Sequence, residues 1–159
     1  MKNIQMQTRT IPMEELAELV MLQLEKGGRA WLTVTGWSMM PLLYHRRDAV
    51  ELIPVSPQQK AGDIIFYRRE NGQYVLHRII AVTEDSYVCC GDNQAERETV
   101  LHTQLLAVVD GFTRKGKRYA LTAPGYRLYT AVWVKLFPLR KYYIALRRCL
   151  GRIRIKLKK

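Results

Sequence analysis

The sequence predicts a mainly β protein, either a small β-barrel or a complex antiparallel sheet, with one helix before it and a basic helical tail after it. Short runs rich in Val, Ile, Tyr and Thr recur through residues 29–122, and these residue types favour strands. Turn-forming residues separate the runs at regular spacing, which favours antiparallel pairing over alternating βαβ units. Helical patterns flank this region on both sides.

The length of 159 residues fits one domain with terminal extensions. We predict three segments: an N-terminal helix within residues 1–28, a β-rich domain in residues 29–122, and a basic aromatic tail in residues 123–159. Apolar residues make up 48% of the chain, which is enough for a core.

Residues 12–26 have the pattern of an amphipathic helix. Pro12 suits its first turn, and the Gly27-Gly28 pair suits its end. Four glutamates lie on one face, and we expect the opposite face to dock on the core. The apolar residues assigned to that docking face are Leu16, Leu19, Val20 and Leu24.

Six runs in the central region are predicted as strands. The segment Glu70-Asn71-Gly72-Gln73 predicts a hairpin turn between two of them, because Asn and Gly both tolerate positive φ. A second turn is predicted around Lys115-Gly116. The predicted strands are Ala30–Thr35, Ala49–Val55, Asp63–Arg69, Tyr74–Val82, Tyr87–Cys90 and Leu105–Thr113.

Positive charge is concentrated at the C-terminal end of the chain. The formal net charge is +12, yet 15 of the 26 Lys and Arg residues, and none of the 14 Asp and Glu residues, lie after residue 113. Helical patterns over residues 126–137 and 139–150, separated by Pro138, interleave these cations with aromatic and aliphatic residues. That composition is typical of a helix lying on an anionic membrane. We therefore predict membrane-surface binding through residues 126–159.

Two alternatives for the tail stay open at the level of sequence. The helices would pack on the β domain or on a protein partner, or the cations would bind nucleic acid. No base-reading motif accompanies the charge, so no specific nucleic-acid partner is predicted.

The cysteine pattern and hydropathy bear on compartment and cofactors. Cys89, Cys90 and Cys149 are an odd set with one adjacent pair, which predicts reduced thiols rather than a disulfide framework. No Cys-x-x-Cys spacing occurs, and no metal or other cofactor is predicted. The sequence shows neither a signal-peptide pattern nor 18 consecutive uncharged apolar residues. We expect a cytoplasmic or peripherally membrane-associated protein.

Residues 36–41, Gly-Trp-Ser-Met-Met-Pro, contain the candidate nucleophile, Ser38. Gly36 permits a tight turn, and the closing proline stiffens the exit. Backbone N–H groups of such a turn, in the segment that includes Trp37 and Met39, are candidates to stabilise an oxyanion. A serine in a Gly/Pro turn is more often structural, so this stretch alone does not establish a site.

A candidate base and a candidate orienting acid follow. His77 lies in an otherwise apolar predicted strand, and an imidazole titrates near neutral pH, as a general base requires. Asp92, in a Gly-Asp-Asn turn, is the candidate to orient it. Each has a structural alternative, a packed histidine and an ordinary turn aspartate. His45 and His102 are interpreted as surface or packing residues, and a Cys89 or Cys90 nucleophile has no better claim than Ser38.

Four stretches of the chain, in order, resemble the sequence boxes of type I signal peptidases. Residues 35–41 resemble the Gly-x-Ser-Met-x-Pro box, and residues 62–65 followed by 76–80 resemble the second pair of boxes. Residues 91–93 resemble the Gly-Asp-Asn box. The likeness covers about residues 30–120. It implies the β-rich fold that this family shares with LexA-type self-cleaving repressors, and a serine endopeptidase that removes a leader or signal segment from a peptide or protein.

The resemblance also implies roles for particular residues. Ser38 corresponds to the nucleophile, and His77 stands where the bacterial branch has a lysine. This substitution resembles the archaeal and endoplasmic-reticulum branch, which uses Ser and His and implies an aspartate at or near Asp92. Lys60 lies outside the matching boxes, so a Ser–Lys dyad is not expected. The family's N-terminal membrane anchor has no counterpart pattern in this sequence.

Two further functions compete with this hypothesis. One is a catalytically inactive module of the same fold that docks peptides or membranes. The other is a LexA-type self-processing protein, although a single predicted helix within residues 1–28 is too little for a helix-turn-helix DNA reader.

Overall fold

The computed structural model describes residues 11–56 and 59–146. Eight strands form one antiparallel sheet, which is joined by two α-helices, two short 3-10 turns and a further helical stretch over residues 140–146. The elements are α1 (Met13–Glu25), β1 (Ala30–Thr33), β2 (Ala49–Ile53), β3 (Ile64–Arg68), β4 (Tyr74–Val82), β5 (Ser86–Cys90), β6 (Glu98–Leu101), β7 (Leu105–Arg114), β8 (Lys117–Ala120) and α2 (Pro124–Lys135).

The strands follow the order β1-β2-β7-β3-β4-β5-β6, with β8 paired to β7. Every pairing is antiparallel. The prediction of a mainly β protein with an antiparallel sheet is therefore confirmed. The sheet is open from β1 to β6, and the described residues do not close a barrel.

All six predicted strands are present, and the structure adds two more. β6 was missed because it has only four residues and begins with a charged one, Glu98. β8 was missed because it is short and exposed throughout and carries two cations, Lys117 and Arg118. Neither strand has the apolar alternation that identifies a half-buried strand in a sequence.

Two apolar clusters cover the two faces of the sheet. The larger one includes Val50, Leu52 and Phe66 and takes in the N-terminal helix, which buries Ala17, Val20 and Leu24 on it. The smaller one includes Ile65, Tyr67, Ile79 and Cys89. Alternation along each strand sends neighbouring residues to opposite clusters.

The N-terminal helix confirms the amphipathic pattern with one correction. Met13–Glu25 is helical, and Gly27 follows its end at a φ of 73°. Leu19 does not belong to the docking face, because it is 51% exposed. Ala17 is buried instead, since it lies three residues before Val20 on the core side.

The described part of the tail packs on the sheet as helices. α2 ends at Lys135, a 3-10 turn covers Phe137–Leu139, and residues 140–146 are helical again. Pro138 thus lies at the predicted break. Leu150, the predicted end of the second helix, and Cys149 lie outside the described residues. Across the described ranges, no helix combines the length and apolar character needed to cross a bilayer.

Candidate active site

Ser38 lies in a loop that follows β1 and is held from both sides. The side chain of Met39 is buried, which anchors the loop in the core, whereas Trp37 is 57% exposed and Ser38 is half-buried. Gly36 adopts a φ of 97°, which favours glycine. Its backbone N–H donates to Nδ1 of His45 at 2.8 Å. His45, interpreted from the sequence as a surface or packing residue, therefore braces the loop at its start.

The Gly91-Asp92-Asn93 turn holds the other side of the Ser38 loop. The backbone N–H of Asn93 donates to the carbonyl oxygen of Ser38 at 2.6 Å, and its Nδ2 donates to the carbonyl oxygen of Trp37 at 3.2 Å. A Cβ at Gly91 would lie 2.8 Å from the Ser38 carbonyl oxygen and 2.9 Å from Ser38 Cβ. Only glycine permits this close approach of two backbones.

Ser38 and His77 line the same cavity, which has a volume of about 600 Å³. Its apolar lining includes Leu32, Phe66 and Leu76. No hydrogen bond joins Ser38 and His77 in the described part of the chain. The two side chains therefore share a cavity but are not in contact as a hydrogen-bonded dyad.

The sheet register explains which acid reaches His77. His77 pairs with Ile65 and Ile79 pairs with Cys89, which in turn pairs with Glu98 on β6. Because directly paired residues share a face, and residues two apart on a strand do too, His77 and Glu98 lie on the same face of the sheet. Nδ1 of His77 is 2.6 Å from Oε1 of Glu98.

His77 is 3% exposed, and among the described residues its hydrogen bonds all use one ring nitrogen. Besides Glu98, Nδ1 approaches the hydroxyl of Tyr67 at 3.1 Å. Among the described residues, no hydrogen bond uses Nε2. An ionised carboxylate can only accept, so Glu98 holds the proton on Nδ1 and leaves the lone pair on Nε2.

Glu98 is kept ionised by hydrogen bonds from three residues, His77, Arg69 and Tyr67. Nε of Arg69 donates to Oε2 at 2.7 Å and Nη2 of Arg69 donates to Oε1 at 3.0 Å, while the Tyr67 hydroxyl donates to Oε1. Partial burial opposes the charge, but the hydrogen bonds from His77, Arg69 and Tyr67 outweigh it and hold the pKa of Glu98 well below its usual value. Burial and the neighbouring Glu98 charge raise the pKa of Tyr67, which stays a donor.

Among the described residues, no hydrogen bond joins Asp92 to His77, and the carboxylate of Asp92 is paired with Arg78 instead. Both of its carboxylate oxygens bind Arg78, with Nε to Oδ1 and Nη2 to Oδ2 each at 2.8 Å. The side chains of Asp92 and Arg78 are both fully buried. Successive strand residues point to opposite faces, which sends His77 to Glu98 and Arg78 to Asp92.

The tail helices complete this buried ion pair. Nη1 of Arg78 donates to the hydroxyls of Tyr126 and Thr130 at 3.0 and 3.2 Å, and the Tyr129 hydroxyl donates to Asp92 at 3.3 Å. Burial disfavours the charge on Arg78, yet Asp92 more than compensates and raises the pKa of the guanidinium. The pair is a structural clamp between β4, the Gly-Asp-Asn turn and α2.

The cysteines on β5 are poor nucleophiles. Cys89 and Cys90 are both fully buried. Burial raises the pKa of Cys89 to about 12 and that of Cys90 to about 11, so both are neutral thiols at pH 7. Among the described residues, no group of three or more His, Cys, Asp or Glu side chains is placed to hold a metal ion.

The sequence pointed to Ser38 and His77, which line one cavity, but not to Glu98, which contacts His77. The only local signal was a glutamate at the head of the short β-type run Thr99-Val100-Leu101. Its partner Arg69 looked like the end of an ordinary strand. Both roles depend on strand register, which a single sequence does not display. Comparisons with protein-family models, with curated proteins and with solved structures find no match.

Proposed function

We propose that this protein is a serine endopeptidase of the signal-peptidase type, which removes a leader or signal segment from a peptide or protein. Ser38 is the nucleophile, His77 is the general base and Glu98 orients the imidazole. The observation that carries the proposal is that His77 lines the same cavity as Ser38 while its Nδ1 is bound to a carboxylate. With the four sequence boxes in order, this arrangement favours a LexA-like peptidase fold.

The proposed chemistry follows from the tautomer that Glu98 selects. Nε2 of His77 takes the hydroxyl proton of Ser38 as Oγ attacks the scissile carbonyl, and the ionised Glu98 stabilises the imidazolium that forms. The imidazolium then protonates the leaving amine, and an acyl-enzyme remains. Nε2 next takes a proton from the water that attacks the ester, and returns it to Ser38 Oγ as the bond to the second product breaks.

Two backbone groups are suited to stabilise the oxyanion. In the described chain, the N–H groups of Ser38 and Met39 donate to no acceptor, while the neighbouring carbonyl oxygens are held by Asn93. An oxyanion at Ser38 would meet these fixed donors, and one such donor is worth about 10²–10³ in rate. Gly36, Trp37 and Met39 thus serve the site as parts of a rigid loop.

The lack of a hydrogen bond between Ser38 and His77 in the described residues fits an enzyme without bound substrate. Catalytic hydrogen bonds are often long before substrate binds and tighten in the complex. The Gly91–Asn93 turn fixes the backbone of Ser38 through its carbonyl oxygen, so rotation of the Ser38 side chain is the remaining adjustment.

Two unpaired strand edges border the cavity and are suited to bind an extended substrate. β1 is the end of the sheet, and among the described residues no strand pairs with the outer edge of Tyr74–His77. A peptide added to either edge would pass His77 or the Ser38 loop. The neighbouring strands β2 and β3 are not available in this way, because each is paired on both edges.

The test is reaction with a fluorophosphonate probe, combined with mass-spectrometric analysis of a peptide library incubated with the protein. We expect probe attachment at Ser38 and peptide cleavage, with both lost in Ser38→Ala and His77→Ala. Ser86→Ala is the matched control, because it removes a serine hydroxyl whose hydrogen bond is to Thr83 at an exposed position. Cleavage that persists in Ser38→Ala would refute the proposal.

The absence of a Ser38–His77 hydrogen bond in the described chain favours one second candidate. It is a catalytically inactive module of the same fold that binds extended peptides at the free strand edges. An unlabelled Ser38 together with saturable peptide binding would establish it. Intact mass measured over time would reveal self-processing, the remaining alternative.

A further inference from the structure

The C-terminal helical segment, residues 124–146, presents a continuous apolar stripe to solvent. Its members recur every three or four residues on both sides of the 3-10 turn, which is the spacing of one helix face. The exposed fractions are large for such side chains: Leu128 68%, Val132 45%, Leu136 49%, Leu139 59%, Tyr142 63% and Leu146 60%.

The opposite stripe of the same segment fixes it to the domain. Tyr126 and Thr130 bind Arg78, Phe137 and Ile144 are buried, and Arg140 is 3% exposed with Nη1 donating to the carbonyl oxygen of Gly91 at 3.2 Å. The outer stripe is therefore held outward by an inner face that is already occupied. A surface helix of a globular protein would place polar residues there.

Cations border the outer stripe, and the surrounding chain has no acids. Arg127, Lys135 and Lys141 are exposed on the same segment. No Asp or Glu occurs after residue 113. The N-terminal helix provides a contrast, because its exposed Leu19 and Leu22 lie among four glutamates.

We propose that the outer face of residues 124–146 docks on an anionic lipid bilayer. Its apolar stripe enters the boundary between headgroups and acyl chains, and its cations contact lipid phosphates. The segment lies in the interface and does not cross it. This surface is separate from the Ser38 cavity, so the inference does not depend on the proposed peptidase activity.

The chemistry of the stripe favours lipid over other anionic partners. Nucleic-acid grooves are matched by cations with stacking aromatics and base-edge donors, whereas this stripe is dominated by four leucines. A second copy of the chain would bring two surfaces of the same positive charge together, because a two-fold interface uses the same patch on both copies.

The experiment is co-sedimentation of the full chain with vesicles of phosphatidylcholine alone or mixed with phosphatidylglycerol. We expect binding to the anionic vesicles that weakens with added salt. Leu128→Ser/Leu139→Ser should lower the partition coefficient about tenfold or more. Leu19→Ser/Leu22→Ser is the matched control, because it removes two similarly exposed leucines from a helix and should leave binding unchanged.

Substitution is a sharper test than deletion of the tail. Removing residues 126–159 would also remove the partners of Arg78, and a folding defect would lower binding for a trivial reason. Circular dichroism of both double variants should match the parent, since all four leucines are exposed. Equal pelleting of the two variants, or equal binding to neutral and anionic vesicles, would overturn the inference. A Leu128/Leu139-dependent dimer in light scattering, without vesicle binding, would assign the stripe to a second copy instead.

Discussion

His77 and Arg78 are neighbours on β4, and each pairs with its own carboxylate, but the two pairs differ in their access to solvent. The His77–Glu98 pair borders a cavity, and the Glu98 side chain is 24% exposed. The Arg78–Asp92 pair is sealed, with both side chains at 0%. One strand thus presents an open pair on one face and a closed pair on the other.

The two side chains also differ in how many of their hydrogen-bonding groups are already bound. Arg78 donates hydrogen bonds to Asp92, to the Gly62 carbonyl oxygen and to two hydroxyls of the tail, so it holds these parts of the fold together. In the described part of the chain, the hydrogen bonds of His77 use only Nδ1, which leaves Nε2 for the proposed proton transfer. Breaking a sealed ion pair is costly because it leaves a buried charge without a partner, whereas a pair that borders a cavity lies within reach of a ligand.

The largest expected effect separates the two faces by activity. His77→Ala should lower turnover about 10²–10⁴-fold because it removes the proposed general base. Initial rates on a cleaved peptide from the library check this. His102→Ala, at an exposed histidine whose ring centroid lies 4.5 Å from that of Tyr87, is the control and should keep its activity. Comparable losses in the two variants would contradict the assignment of His77.

The next effect is on stability at the sealed pair. Asp92→Ala should lower the free energy of unfolding by about 3–5 kcal/mol, because it leaves the buried Arg78 without a counter-charge. Urea denaturation measures the loss. Asp85→Ala, at an exposed aspartate in a turn, is the control and should change stability little. A loss below about 1 kcal/mol in Asp92→Ala would mean that the clamp is not sealed.

The next prediction concerns the Gly91–Asn93 turn, which carries Asp92 and holds the Ser38 loop. Gly91→Ala places a methyl group against Ser38 and should displace the nucleophile loop, which we expect to lower turnover about 10²-fold. Gly125→Ala is matched, because nothing lies within 4 Å of its Cβ position. Retained activity in Gly91→Ala would show that the loop adapts without loss of geometry.

The smallest effect is the pH dependence contributed by the open pair. The pKa of Glu98 is lower in the folded state than the value of about 4.3 usual for an unfolded chain. Its contribution to stability is therefore present above about pH 4.3 and is lost as the pH falls below that value. Urea midpoints measured in a pH series should fall more steeply for the parent than for Glu98→Gln. Parallel curves would show that Glu98 is not held by its three donors.

The fold was predictable where periodicity is strong. The six apolar strands and the N-terminal helix follow from alternation and helical spacing, which depend only on local sequence. Glu98 and the strand it begins were not predictable, because a four-residue strand with a charged first residue has no such signal. Leu19 was assigned to the wrong face because a stripe with Ala17 in place of Leu19 fits the same helical spacing.

For the site, local sequence was enough to identify the candidate nucleophile loop, the histidine and the Gly-Asp-Asn turn, because a tight turn and a base need these residue types locally. Which carboxylate pairs with His77 and which with Arg78 depends on the tertiary structure. Strand register brings Glu98 to His77 across β5 and Asp92 to Arg78 on the other face, and pairing between distant strands is not encoded in any one stretch. The sequence likewise determined that the tail is basic and apolar, whereas packing decided which of its two stripes is buried and which faces solvent.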